Sequence, residues 1–152
     1  METVSLDTPI GFLQASISEG KITSLDFSDD ETGANSVRVS HPILQQLQRY
    51  FEDPRFPFAV DISPQGTEYQ QRVWDALRQI PVGSTITYGE LAKRLGSSAR
   101  AIGNACRKNP VPLIVPCHRV VSQKGIGGFM GQVNGKEIAI KQWLLRHEGV
   151  EY

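Results

Sequence analysis

Thr87-Tyr88-Gly89-Glu90-Leu91-Ala92-Lys93-Arg94-Leu95-Gly96-Ser97-Ser98-Ala99-Arg100-Ala101-Ile102-Gly103-Asn104-Ala105-Cys106-Arg107-Lys108 sets the architecture of the C-terminal half. Thr87-x-x-Glu90 is a capping box. The threonine hydroxyl can accept from the N–H three residues on, and the glutamate can reach back to the threonine N–H. A short helix therefore starts here, with Leu91, Ala92 and Leu95 facing inward, and Gly96 stops it because glycine enters the left-handed region at little cost. Ser97-Ser98 then caps a second helix, about Ala99–Lys108, with Ala99, Ile102 and Cys106 on one stripe. Asn109-Pro110 ends it, since a residue before proline avoids the helical region. Two short helices across a glycine-containing turn have the helix-turn-helix layout. The outer face of the second would carry Arg100, Gly103, Asn104 and Arg107. Small residues let a helix backbone approach a surface closely, and basic ones pair with phosphate. The alternative is a helix packed on another part of the same protein.

Upstream, Thr67-x-x-Gln70 is a second capping box, and Tyr69, Val73, Leu77 and Ile80 share a helical face up to the break at Pro81-Val82-Gly83-Ser84. Asp53–Gln65 contains Pro54, Pro57 and Pro64 and reads as a connection between lobes, with room for a short strand at Phe58–Ile62. Pro42–Glu52 reads as a helix with Pro42 in its first turn and Ile43, Leu44, Leu47 and Phe51 on one face. Ser28–Ser40 is polar and acidic and reads as a loop, and His41 as a surface residue. Gly11–Ser18 and Lys21–Phe27, joined at Glu19-Gly20, read as a hairpin. Downstream, about Lys136–His147 forms a last helix with Ile140, Trp143 and Leu144 inward. The whole is an α+β chain with an N-terminal α/β lobe over residues 1–65 and a mainly helical lobe over 66–152.

The chain has 152 residues, enough to bury about 70% of the surface its unfolded form exposes. Its net charge of zero conceals an asymmetry. Residues 1–68 carry four Lys/Arg against eleven Asp/Glu, whereas residues 84–124 carry seven Lys/Arg against one acid, Glu90. Such a split suits a polyanion partner for the basic segment, or a solvated basic face. The two cysteines, Cys106 and Cys117, are too few for a disulfide framework or a four-thiolate zinc site. Met1-Glu2-Thr3-Val4-Ser5 has neither the basic start nor the apolar run of a secretory signal, and no apolar run approaches the ~20 residues of a membrane helix. A reducing cytoplasm is the expected setting for two free thiols.

Val111–Val115 is apolar and bracketed by Pro110, Pro112 and Pro116, so it is expected to enter the core as a short extended piece with Cys117 at its mouth. A lone cysteine is ordinarily an inert core residue. Cys117, however, is followed by His118 and Arg119, and both favour a thiolate. In an extended chain adjacent side chains point to opposite sides. His118 therefore touches Cys117 directly only if the chain turns there; otherwise the proton passes through a bridging water. A base needs an orienting group, and Glu148 near the end of the last helix is the candidate. Gly125-Ile126-Gly127-Gly128-Phe129-Met130-Gly131 fails as a dinucleotide loop because Met130 stands where the last glycine should be. It reads as a flexible loop over the Cys117 pocket, with Phe129 and Met130 in its wall. His147 reads as a helix-end cation.

Thr87-Tyr88-Gly89-Glu90-Leu91-Ala92, Ala99-Arg100-Ala101-Ile102-Gly103-Asn104-Ala105, Asn109-Pro110-Val111-Pro112, Pro116-Cys117-His118-Arg119-Val120 and Trp143-Leu144-Leu145-Arg146-His147-Glu148-Gly149 together resemble the O(6)-alkylguanine-DNA alkyltransferases, also called methylated-DNA–protein-cysteine methyltransferases. The likeness covers about Gly66–Gly149. It implies a small ribonuclease-H-like N-terminal sheet lobe and a helix-turn-helix that binds the minor groove. It implies DNA repair by irreversible transfer of a methyl or small alkyl group from O(6) of guanine, and from O(4) of thymine, to Cys117, once per molecule and without cofactor. His118 then acts through a water, Glu148 orients it, and Tyr88 contacts a phosphate and protonates the leaving guanine. Arg100 fills the space of the flipped base, and Asn109 couples the DNA helix to the active-site turn. Ala99, Gly103, Asn104, Arg107 and Arg119 are further DNA-contact candidates; Pro112, Val120, Phe129 and Met130 are pocket candidates. The expected partner is double-stranded alkylated DNA, met by a monomer without obligate protein partner or membrane. The family carries tyrosine where Phe129 stands, which removes a hydroxyl from the pocket wall. Some members hold zinc through N-terminal cysteines and histidine; with no cysteine before Cys106, no zinc is expected.

Three other readings fit parts of the pattern. A non-enzymatic relative that only flags lesions would lack the acceptor cysteine. A cysteine hydrolase would use the Cys-His-Glu set repeatedly. A helix-turn-helix regulator would leave Cys117 incidental.

Overall fold

The computed structural model describes residues 2–28, 42–131 and 135–152. The expected features at His41 and in most of the acidic loop lie outside them. The chain divides into two compact units, Met1–Gln65 and Gly66–Tyr152. The expected α+β make-up is found: a small antiparallel sheet lies in the first unit and most of the helix in the second.

In the first unit the strands β1 (Glu2–Thr8), β2 (Gly11–Ser18) and β3 (Lys21–Ser28) form an antiparallel meander in that order. The β2–β3 hairpin turns at Glu19-Gly20, both at positive φ. β1 adds a third strand to the expected hairpin: apolar Val4 and Leu6 alternate with polar Thr3, Ser5 and Asp7, and Val4, Ser5 and Leu6 are all buried. Leu13, Ala15 and Ile17 give β2 a clean period of two, whereas β3 buries Ile22 and Leu25, an odd spacing. A register shift at Ser16/Ile17 accounts for that, because a bulge inserts one residue and returns both side chains to the same face. The strand expected at Phe58–Ile62 is reduced to one parallel bridge, Ile62 to Ile22, at the sheet edge. Ile22 donates to the Asp61 carbonyl at 2.9 Å, and Ser63 donates back to Ile22 at 2.8 Å.

Helix α1 (Pro42–Glu52) packs against β1 and buries Ile43, Leu44, Leu47 and Tyr50. Tyr50 takes the inward place expected of Phe51. It stacks on Phe58 at 5.5 Å and meets Phe51 edge-on at 5.4 Å.

In the second unit both capping boxes form as read. Thr67 opens α2 (Glu68–Leu77) and Thr87 opens α3 (Tyr88–Leu95), each with reciprocal bonds to the residue three on. Gly96 closes α3 at φ 63°, and Ser98 caps α4 (Ala99–Arg107) through the Ala101 N–H. The inward stripe of α4 is Ile102 and Ala105; Ala99 is exposed and Cys106 half-buried. Trp74 on α2 fills the space beside it, and its indole donates to the Ala105 carbonyl at 2.9 Å. Two parallel pairs, Ile86 with Val120 and Thr87 with Val121, join β4 (Ile86–Thr87) to β5 (Val120–Val121). That short ladder fixes the start of α3 against the segment leaving Cys117. Helix α5 (Lys136–His147) buries Ile140, Lys141, Leu144 and Leu145. Trp143 is half-buried instead, stacked on His147 at 4.7 Å between ring centroids. Among the described residues no helix is long and apolar enough to cross a membrane.

Candidate active site

The segment before Cys117 is buried as expected but turns instead of running extended. Val115 donates to the Val111 carbonyl at 3.0 Å, Pro112 bridges Val115, and Leu113 sits at φ 80° with its side chain inside. Asn109, just past α4, clamps this turn. Its Oδ1 accepts from the Val111 N–H at 2.9 Å, and its Nδ2 donates to the Val115 carbonyl at 2.9 Å and to Cys117 Sγ at 3.4 Å. One side chain thus connects the end of the outer helix to the thiol.

Cys117, His118 and Arg119 form one turn of 3-10 helix, and all three are buried. The chain does bend at Cys117, yet His118 does not contact it by a hydrogen bond. His118 Nε2 lies 2.8 Å from Glu148 Oε2, and Nδ1, equally buried, has no hydrogen-bond partner. Burial pulls the imidazole below its usual range against the pull of Glu148, so it is neutral at pH 7. Burial alone would push the Glu148 carboxyl up. The hydrogen bond from His118, with the hydrogen bonds and charge of Arg119, outweighs it and brings the carboxyl down to about 2.

Arg119, expected at DNA, is 8% exposed and turned inward. Its Nε and Nη2 donate to the two Glu148 oxygens at 2.8 and 3.0 Å, and Nη1 donates to the Ile80 carbonyl at 2.6 Å. A guanidinium fork matched to a buried carboxylate and turned away from solvent is committed to holding the structure together rather than to a phosphate.

The cavity beside Cys117 has a volume of about 220 Å³. Tyr88, the first residue of α3, lines it with Phe129 and Met130, while Gly103, Cys106 and Arg107 supply the α4 wall. The tyrosine hydroxyl donates to the Gly128 carbonyl at 3.4 Å, and burial followed by the neighbouring thiols pushes its pKa up, so it keeps its proton. Pro112 and Val120 are not among the lining residues. Pro112 is buried in the turn, and Val120 is fully covered in β5. Arg100 and Asn104 are exposed on the outer face of α4, as is Ala99 at its start; Gly103 is half-buried and Arg107 is exposed at the cavity rim.

Lys141 escaped the sequence reading. It is fully buried, and its ammonium donates to the Val120 carbonyl at 2.7 Å and the Gly128 carbonyl at 2.8 Å. Burial lowers its pKa to about 8, partly offset by the two thiols. Burial also pushes the Cys117 thiol up, opposed by the Asn109 hydrogen bond and the Lys141 charge. The cation that favours a thiolate here is therefore Lys141, not the adjacent arginine. The one signal in sequence was a lysine one position from Ile140 on an otherwise apolar helix face.

A buried thiol with a hydrogen-bond donor, a nearby cation and a neutral imidazole oriented by a carboxylate can act as a nucleophile toward an electrophilic carbon held in the cavity. Comparison with known proteins agrees with that chemistry. Residues 68–150 match the family described as 6-O-methylguanine DNA methyltransferase, DNA binding domain. The constitutive methylated-DNA–protein-cysteine methyltransferase of Bacillus subtilis is 36% identical over 159 residues, covering 96% of this chain and 94% of that protein. The Mycobacterium leprae methylated-DNA–protein-cysteine methyltransferase is 40% identical over 146 residues, covering 87% and 86%. A crystal structure of Mycobacterium tuberculosis O6-methylguanine methyltransferase superposes with a TM-score of 0.81 at 34% identity, covering 97% of this chain and 92% of that one. A second M. tuberculosis structure, in complex with DNA, gives 0.81 at 35% identity over the same shares. On this match of sequence and fold, the chain belongs to the 6-O-methylguanine DNA methyltransferase family.

Proposed function

We propose that this protein repairs alkylated double-stranded DNA by moving a methyl or small alkyl group from O(6) of guanine, and from O(4) of thymine, onto Cys117. The observation that carries the reading is Cys117 lining a cavity beside Tyr88, in the same turn as His118, whose buried imidazole pairs with Glu148 at the end of α5. A base inside a duplex hides its alkyl carbon, so the damaged nucleotide is flipped into the cavity. The Cys117 proton passes through a water to His118 Nδ1, while Nε2–H donates to Glu148. The sulfur attacks the alkyl carbon, the C–O bond breaks with its electron pair, and the leaving guanine takes a proton from the Tyr88 hydroxyl. The product is a thioether, and no group in the site can reverse a C–S bond, so each molecule acts once.

The exposed residues Arg100, Asn104 and Arg107 on α4, with Ala99 and Gly103 allowing close approach, form the DNA face in this reading, and Arg100 fills the space of the flipped base. Asn109 couples that face to the thiol through its bond to Sγ. Phe129 and Met130 make the pocket wall apolar. Residues 1–65 act as a separate N-terminal domain, and the protein works as a monomer in the reducing cytoplasm, where a free reactive thiol survives.

The test is mass spectrometry after mixing the protein with a duplex carrying O(6)-methylguanine. The expected result is a stoichiometric gain of one methyl on the peptide holding Cys117. Lesion binding without mass gain would favour a lesion-flagging or regulatory role, and repeated turnover without a lasting adduct would favour a hydrolase. Cys117→Ser is expected to bind the lesion and accept nothing.

A further inference from the structure

Cys106 takes no part in the transfer above, yet it faces the same cavity as Cys117. Gly103, Cys106 and Arg107 stand at i, i+3 and i+4 of α4, which places them on one helix face, and that face is a wall of the cavity. Asn109 ties the two cysteines together: its N–H donates to the Cys106 carbonyl at 3.2 Å, and its Nδ2 donates to Cys117 Sγ at 3.4 Å. Burial pushes the Cys106 thiol up, and charge on Cys117 adds to that rise. Neither is in a disulfide.

Two thiols opening into one small apolar cavity are a dithiol. We propose that Cys106 and Cys117 together form a two-point binding site for trivalent arsenicals. Thiol sulfur is the soft ligand such an element prefers. Each S–H bond and each As–OH bond are exchanged for an As–S bond and an O–H bond of water. Two waters leave, arsenic stays trivalent, and no oxidant or reductant is consumed. The exchange starts from neutral thiols, the form in which burial holds both cysteines. Phe129 and Met130 offer an aryl substituent an apolar wall. Once one As–S bond has formed, the second closes within the molecule at an effective thiol concentration in the millimolar range or above. The site does not depend on the alkyl-transfer reading, but occupying it blocks the Cys117 thiol.

Phenylarsine oxide added to the full-length protein tests this. The expected adduct carries one phenylarsenic in place of two thiol hydrogens by intact mass. It resists excess monothiol and is stripped by a dithiol, and both cysteines are protected from iodoacetamide until then. Cys106→Ser and Cys106→Ala are each expected to raise the arsenical concentration for half occupancy about a hundredfold. An adduct retaining an As–OH group, release of the wild-type adduct by monothiol, or unchanged occupancy in both variants would overturn the proposal. Peptide mapping of the wild-type adduct decides the matter even where a variant fails to fold.

Discussion

His118 Nε2 sits 2.8 Å from Glu148 Oε2, with both side chains sealed from solvent, and Arg119 holds the same carboxylate from its other side. One carboxylate thereby orients the imidazole and neutralises a buried guanidinium.

Glu148→Gln is expected to destabilise the protein by about 3 kcal/mol at neutral pH, the order of magnitude for breaking a buried pair. The pH dependence follows from the lowered carboxyl. A group taken from 4.5 down to about 2 on folding contributes stability that is complete above about 4.5 and lost as the pH falls through about 2. Chemical denaturation of both proteins from pH 7 to 2 checks this, and a gap between them that stays constant over that range would refute it.

Lys141→Met is expected to move the pH–rate profile of methyl transfer to higher pH. The buried cation favours the Cys117 thiolate, so without it more alkaline solution is needed to form the nucleophile. Single-turnover rates between pH 6 and 10 are the measurement; superimposable profiles would remove Lys141 from the electrostatics of the site.

Asn109→Asp keeps an acceptor for the Val111 N–H but loses the donor to Val115 and Cys117 and places a negative charge beside the sulfur. The transfer rate is expected to fall about 10²-fold or more, the scale seen when one positioned donor is removed from a reacting centre. Stability is expected to fall by only about 1 kcal/mol for the lost hydrogen bond, because the Val115 carbonyl still accepts from the Cys117 N–H. A rate within a few-fold of wild type would show that Asn109 only supports the turn.

Arg100→Ala removes an exposed side chain, so stability should stay within about 0.5 kcal/mol of wild type. Transfer from duplex DNA is expected to slow while transfer from a free O(6)-methylguanine base does not. Equal slowing on both substrates would move Arg100 out of any role in base extrusion.

What was legible in the sequence was local. The capping boxes at Thr67 and Thr87, the stop at Gly96 and the cap at Ser98 each satisfy backbone groups within three or four residues, so short patterns reveal them. Cys117, His118 and Glu148 were identified by residue type and family likeness. What was hidden depends on partners distant in the chain. Arg119 and Lys141 carry charge that composition assigns to the surface. One faces Glu148 and the other two backbone carbonyls, and a linear pattern records neither. β3 shifts its inward face across a bulge, so its hydropathy periodicity blurs.

The Asn109 amide bond to Cys117 Sγ also distinguishes a fresh molecule from a spent one. A thiol that can ionise becomes, once alkylated, a thioether that never carries charge and accepts hydrogen bonds poorly. The same amide nitrogen still donates to Val115, so the change is written into the joint between the outer helix and the nucleophile turn without breaking it. The Asn109 side-chain amide resonance is thus a built-in gauge: its shift would count, in an intact population, how many copies have already fired.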